Sequence, residues 1–177
     1  DCVLCPRNCH ADRINGRRGR CHETAEIVVA RAALHMWEEP CISGDAGSGA
    51  VFFSGCPMGC VFCQNHNIAE AKAGKIITIE RLSQIFLELQ GEGAANINLV
   101  TPTHYVPQII EALEMARKAG LDLPVVYNTS GYEKPETIQM LDGYVDVYLP
   151  DFKYMEPDLA AAYSKAPDYP CLLYTSP

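Results

Sequence analysis

The chain has 177 residues, 48% of them apolar, and a formal net charge of −8. That length supports one domain with a sizeable core, or part of a larger one. No apolar run approaches the ~18 residues of a membrane span, and the acidic balance argues against a general nucleic-acid binder.

Residues 1–48 are rich in cysteine, arginine and glycine and read as a small metal-stapled extension ahead of the main fold. The first residue is Asp1, so the lack of a targeting signal carries no weight. Nine cysteines (Cys2, Cys5, Cys9, Cys21, Cys41, Cys56, Cys60, Cys63 and Cys171) bunch, except for the last, within the first 63 positions. A secreted disulfide scaffold is shorter and loop-rich, so the bunching favours metal ligands in a reducing, cytoplasmic compartment. Cys2, Cys5, Cys9 and Cys21 form C-x₂-C-x₃-C-x₁₁-C, a four-thiolate set for structural zinc or a second iron–sulfur cluster, and spacing does not choose between them. This set precedes the first main strand and reads as a separate site. His22 is either an extra ligand or exposed, and Cys41 reads as a packed thiol. Arg7, Arg13, Arg17, Arg18 and Arg20 hold five of the 14 basic residues. They read as a solvated loop, the alternative being a site for an anion or acidic partner. One short apolar run, Ile27–Leu34, closes the extension.

From about residue 50, strand-like runs alternate with helical ones. "AVFF" (50–53), "INLV" (97–100), "VVY" (125–127) and "VDVYL" (145–149) lack clean polar alternation, as parallel strands covered on both faces do. "TIERLSQIFLEL" places Ile79, Leu82, Ile85, Phe86 and Leu89 on one helical face, with Thr78 as N-cap. "VPQIIEALEMARKAG" has Pro107 in its first turn and stops at Gly120, and "KPETIQMLDG" repeats the device with Pro135 and Gly143. A fourth helix is predicted in "PDLAAAYSKA". "GEGAAN" (91–96) precedes a strand instead of following one, so it is a connector and not a dinucleotide loop. The order is a repeated βαβ unit, an α/β fold that forms either a doubly wound sheet or a (β/α) barrel. Both gather functional residues at the C-terminal ends of the strands.

The loop after the first of these strands reads "SGCPMGCVFCQN" (54–65). Cys56, Cys60 and Cys63 share it, spaced C-x₃-C-x₂-C, where a closed zinc site takes four ligands. A four-iron cluster held by three cysteines keeps one iron open for a substrate or cofactor. Gly55 and Gly59 let the loop turn tightly, Pro57 stiffens it, and Phe62 offers an aromatic face beside the last cysteine. The competing reading is a zinc knuckle that takes its fourth ligand from a residue such as His66. His10 and His35 have no partner pattern, and the adjacent Glu38 and Glu39 point different ways in most backbones.

C-x₃-C-x-aromatic-C at the end of a first strand resembles the signature of radical S-adenosylmethionine (radical SAM) enzymes. That resemblance implies a [4Fe-4S] cluster on Cys56, Cys60 and Cys63 whose open iron chelates SAM. It further implies reductive cleavage of SAM to methionine and a 5′-deoxyadenosyl radical, which abstracts hydrogen from substrate. "CVLCPRNC…GRRGRC", "EEPCISGDAGSGAVFFSGCPMGCVFCQN", "NTSGY" and "VDVYLPDFKY" together are similar to proteins related to the activating enzyme of pyruvate formate-lyase. The likeness is greatest to a branch of iron–sulfur proteins with a cysteine-rich N-terminal extension. It runs to about Pro170. Carried over, it implies SAM contacts at Asp151 and Lys153, with Asn128 and Thr129 on the preceding strand. Asn128 stands where the family has a carboxylate beside a cation. The family's G-G-E type motif for the SAM amino group is replaced by "VTPTHY", so Thr101 and Thr103 offer hydroxyls instead. The bland alternative has Thr103 capping the next helix. His104 is either a substitute contact or exposed at that helix start, and Phe62 is expected near the adenine.

The last seven residues, "CLLYTSP", translate TGT CTC TTA TAC ACA TCT CCG, which matches a common sequencing-library transposon adapter. Residues 171–177 are therefore expected to be non-native read-through, the alternative being a fifth strand. The sequence as a whole is expected to form a partial (β/α) barrel of residues 49–170, truncated after about four βα units, behind the 1–48 extension. The expected activity is that of an activating-enzyme-like oxidoreductase, with SAM, an electron donor such as flavodoxin or ferredoxin, and a protein substrate as partners. A non-catalytic iron–sulfur electron-transfer protein is the alternative.

Overall fold

The computed structural model describes residues 1–171. In chain order its strands are β1 (Ile27–His35), β2 (Ser48–Phe53), β3 (Lys75–Ile77), β4 (Ile97–Val100), β5 (Val125–Thr129) and β6 (Val147–Pro150). They form one mixed sheet of order β3-β1-β2-β4-β5-β6. The four strands predicted as parallel are β2, β4, β5 and β6, and each pairs in parallel with the next. β1 runs antiparallel to β2, with an irregularity between Val29 and Arg31, and β3 runs antiparallel to β1. The sheet therefore takes in residues 27–35, which the sequence grouped with the extension.

The two long helices are α3 (Ile79–Gly91) and α4 (Val106–Lys118), preceded by the single turns α1 (Pro40–Ser43) and α2 (His66–Ala69). Thr78 caps α3, its Oγ1 accepting from Arg81 N at 3.1 Å. Leu82, Ile85, Phe86 and Leu89 of α3 and Ile109, Ala112, Leu113 and Ala116 of α4 pack on one sheet face. Their partners there include Val51, Phe53, Ile97, Leu99 and Val125. Each side chain of leucine or phenylalanine size contributes roughly 1.5–3 kcal/mol by leaving water. Alternation along the strands sends Phe52, Val100 and Asn128, which stand side by side in register, to the other face. That face is not covered as the sequence led one to expect; it forms the wall of a cleft.

Two elements are shorter than the sequence predicts. α5 (Pro135–Gln139) ends before Gly143, because the chain turns after Met140 and Gly143 adopts φ +75°. β6 starts two residues after Val145, because the Asp146 carboxylate accepts from Val125 N at 2.8 Å and holds the preceding turn. α6 (Pro157–Ser164) follows and stops at Lys165, which is left-handed at φ +52°.

The extension departs from a solvated loop. Arg17 and Arg18 are exposed, but Arg13 is buried. It donates to the carbonyls of Glu23 and Thr24 and, at 2.6 Å, of His104, and its guanidinium lies over the Tyr105 ring. Arg7 donates to the carbonyls of Pro57 (2.8 Å), Met58 (3.2 Å), Ser164 (2.7 Å) and Lys165. Cys41 is exposed, not packed, and Cys2, Cys5, Cys9, Cys21, Cys41, Cys56, Cys60 and Cys63 are free thiols. Among the described residues no helix is long and apolar enough to cross a membrane. The tail beyond Cys171, including Leu172 and Leu173, lies outside the described residues.

Candidate functional site

Gly55, the second residue after β2, sits at φ +83°. A Cβ there would run into the Cys21 carbonyl and approach Glu23 Cγ at 2.6 Å, so only glycine fits. The next amide, Cys56 N, donates to Cys21 O at 3.3 Å. The loop that follows opens onto a cleft of about 890 Å³. Its lining includes Cys56, Cys60, Phe62 and Cys63 after β2, Thr101 after β4, Asn128, Thr129 and Ser130 at the end of β5, and Asp151 and Lys153 after β6. Four consecutive parallel strands thus direct their C-terminal ends to one space. Thr101 is held at φ +57°, rare for a β-branched residue, with its amide donating to Asn128 O at 3.0 Å. Backbone held in such a region clusters at functional sites.

Cys56 is half-buried and Cys60 buried, within an apolar cluster of Met58, Tyr132, Tyr154, Ala160, Ala166 and Tyr169. Burial pushes the Cys56 thiol up, and Cys60 and Cys63 beside it push the same way, against the amides of Gly59 and Met58. The Ser164 hydroxyl donates to Cys60 Sγ at 2.9 Å. Among the described residues, no three His, Cys, Asp or Glu stand close enough to hold a single metal ion. His66, the candidate fourth ligand of a zinc knuckle, instead lies 3.0 Å from Glu70.

Lys153 Nζ is 2.6 Å from Asp151 Oδ2. Burial alone would lower its pKa, but this pairing holds the ammonium above the usual lysine value. Phe62 is 58% exposed and meets Tyr154 and Tyr163 edge-on at 6.1 and 6.5 Å, leaving its ring open to the cleft.

Thr103 and His104 are placed otherwise. Neither is on the cleft wall. Thr103 is buried and donates to the Glu133 carboxylate at 2.6 Å, without capping α4. His104 is 2% exposed, not at a solvated helix start, and its Nε2 lies 2.7 Å from Ser54 O. A carbonyl only accepts, so Nε2 carries the proton. Burial drives the ring's pKa down to about 3. Glu133, which no motif marked, accepts from both Thr103 and Thr129. Burial lifts its pKa to about 7 against those two hydrogen bonds.

The N-terminal thiols also gather. A Cβ at Gly19 would lie 3.4 Å from the sulfurs of both Cys9 and Cys21. Burial raises Cys5 to about 12, with Cys21, Cys2 and Cys9 adding repulsion. Burial raises Cys21 as well, whereas the amides of Ala11 and Arg20 overcome burial and lower Cys9. Through Arg7 and the Cys21 carbonyl this group touches the loop of Cys56–Cys63, so two sites separate in sequence adjoin in space.

The fold brings three thiols at the end of its first parallel strand, and polar side chains at the ends of the next three, to one cleft. Residues 50–170 match the model of the Radical SAM superfamily, and the chain belongs to that superfamily. It is 30% identical over 178 residues to "Uncharacterized protein MJ0674" of Methanocaldococcus jannaschii, an alignment covering 96% of this chain and 50% of that protein. The chain thus spans about half the length of the curated relative it matches. No solved structure matches. Members of that superfamily use a [4Fe-4S] cluster and SAM.

Proposed function

We propose that this chain forms the cluster- and SAM-binding part of an enzyme of the glycyl-radical activating type, an oxidoreductase built on a partial (β/α) barrel. The observation that carries the proposal is the single cleft shared by Cys56, Cys60 and Cys63 and the ends of β4, β5 and β6. In this reading the three thiolates hold the cluster. Together, reduced cluster and SAM supply reductive cleavage of the sulfonium to methionine and a 5′-deoxyadenosyl radical.

The chain's own residues do the positioning. Asp151, an acceptor, suits the SAM ammonium, and Lys153, a donor, suits a carboxylate or ribose oxygen. Thr101 and Thr129 offer hydroxyls, and Asn128 an amide where the activating enzymes carry a carboxylate. Phe62 presents a ring for adenine. Thr103 acts one step removed, through Glu133, which in turn receives the Thr129 hydroxyl. The apolar cluster under Cys60 packs against that side chain and keeps it buried. Cys2, Cys5, Cys9 and Cys21 hold a second metal group, zinc or iron–sulfur, once their side chains close on it. The partners in this reading are a cytoplasmic electron donor such as flavodoxin or ferredoxin and a protein substrate that presents a glycine.

Anaerobic reconstitution followed by assay for 5′-deoxyadenosine tests the reading. SAM-dependent production with dithionite as reductant is expected, without added substrate. A full four-iron cluster that leaves SAM intact would instead identify an electron-transfer protein.

A further inference from the structure

A side-chain relay reaches one of the three cleft sulfurs. Ser164, the last residue of α6 and 1% exposed, donates through Oγ to Cys60 Sγ at 2.9 Å. A serine hydroxyl has one proton, so the Tyr154 hydroxyl, 2.6 Å from Ser164 Oγ, must be the donor in that contact. Tyr154, Ser164 and Cys60 are all buried, Tyr154 and Cys60 within the apolar cluster. The same turn is pinned to the loop through Val61 N, which donates to Tyr163 O at 2.9 Å, and through Arg7, which donates to the carbonyls of Met58 and Ser164.

We infer that Ser164, polarised by Tyr154, sets the reduction potential of the group held by Cys60. The inference rests on the proposed function above. A thiolate bound to iron keeps lone pairs, so the hydrogen bond persists when the site is loaded. Reduction adds negative charge that is shared with the ligand sulfurs, and a donor aimed at one of them stabilises the reduced form. Low surrounding polarity strengthens that effect. The relay therefore raises the potential and makes the cluster easier to reduce. Ser164 and Tyr154 are positioning residues and touch no substrate.

The test uses the full chain, reconstituted anaerobically without SAM, with dithionite titration in the presence of mediators and with iron and sulfide analysis. Ser164→Ala should keep the parent's iron and sulfide and shift the one-electron equilibrium about tenfold toward the oxidised cluster, about 59 mV downward. Tyr154→Phe leaves the Ser164–Cys60 bond in place and should move the potential the same way by less. Full loading of Ser164→Ala with the parent's potential overturns the inference. If Ser164→Ala loads poorly, Tyr154→Phe decides, and a potential equal to the parent's overturns it again. A parent chain that takes up no cluster would fail the proposed function itself, whereas a loaded parent with unmoved variants fails this inference alone.

Discussion

His104 and Glu133 are buried groups whose titrations oppose each other, and the opposition can be measured. His104 falls from an ordinary 6.5 to about 3 by burial, so its contribution is present above pH 6.5 and lost as pH falls towards 3. Glu133 rises from 4.5 to about 7 by burial, so its contribution is present below pH 4.5 and lost as pH rises through 7. Each slope is about 1.4 kcal/mol per pH unit. Both operate between pH 4.5 and 6.5, where they cancel and leave the parent nearly flat with respect to these two groups. Glu133→Gln removes one slope, and its stability should fall by about 2 kcal/mol on acidification from 6.5 to 4.5, because each slope is only half developed at one edge of the window. His104→Gln keeps a donor for Ser54 O, and its stability should rise by a similar amount over the same window. The new amide changes each curve's height but not its slope, so the slope isolates the titration. Urea unfolding of the reduced, metal-free chain, followed by far-UV circular dichroism, reads it. Fluorescence is a poor probe because Trp37, the single tryptophan, is 88% exposed. A Glu133→Gln profile parallel to the parent's would refute the reasoning, because it would mean that Glu133 folds ionised.

Replacing Cys56, Cys60 or Cys63 singly by alanine should abolish the four-iron cluster, read as iron, sulfide and visible absorption after reconstitution. Retention of a full cluster in any of the three would remove that residue from the ligand set. Gly55→Ala forces a side chain into left-handed backbone against Glu23 and the Cys21 carbonyl, and should cost about 1–3 kcal/mol in urea unfolding. An unchanged midpoint would show that the two loops are not packed together. Cys5→Ala with Cys9→Ala should remove zinc or a second cluster. It should also reduce loading at Cys56–Cys63, since Cys21 O and Arg7 support that loop. Equal metal content in variant and parent would show the N-terminal site to be empty.

What was legible in the sequence was local. The parallel strands β2, β4 and β5 announce themselves by short apolar runs, and α3 and α4 by their period and by Thr78 and Pro107 at their starts. The ends of those strands were legible for the same reason, since a loop that follows a parallel strand opens at a known end of the sheet. Thr101, Asn128, Thr129, Asp151 and Lys153 all line the cleft, while Thr103, two positions from Thr101, does not. The intervening Pro102 leads into a turn of 3₁₀ helix over Thr103–Tyr105 that carries Thr103 inward to Glu133. β1 was obscure because Arg31 and Ala32 in its middle are exposed, so the run mixes strand and surface character.

The remainder was illegible because it is made of contacts between distant positions. Arg7 reaches Pro57 across 50 residues, Arg13 reaches His104 across 91, and Ser164 reaches Cys60 across 104. Nothing local marks these side chains, for an arginine among cysteines and a serine at a helix end read as surface in any sequence. Yet each answers a demand of the fold. A loop that carries three thiols has few regular backbone partners of its own, and its carbonyls and amides must find donors and acceptors elsewhere. The extension supplies Arg7 and the Cys21 carbonyl, and α6 supplies the Tyr163 carbonyl and the Ser164 hydroxyl. The ligands are thus specified by an eight-residue motif, while their surroundings are specified by two segments more than 30 positions away on either side. Substitutions in those segments should leave the motif intact and still alter what it holds.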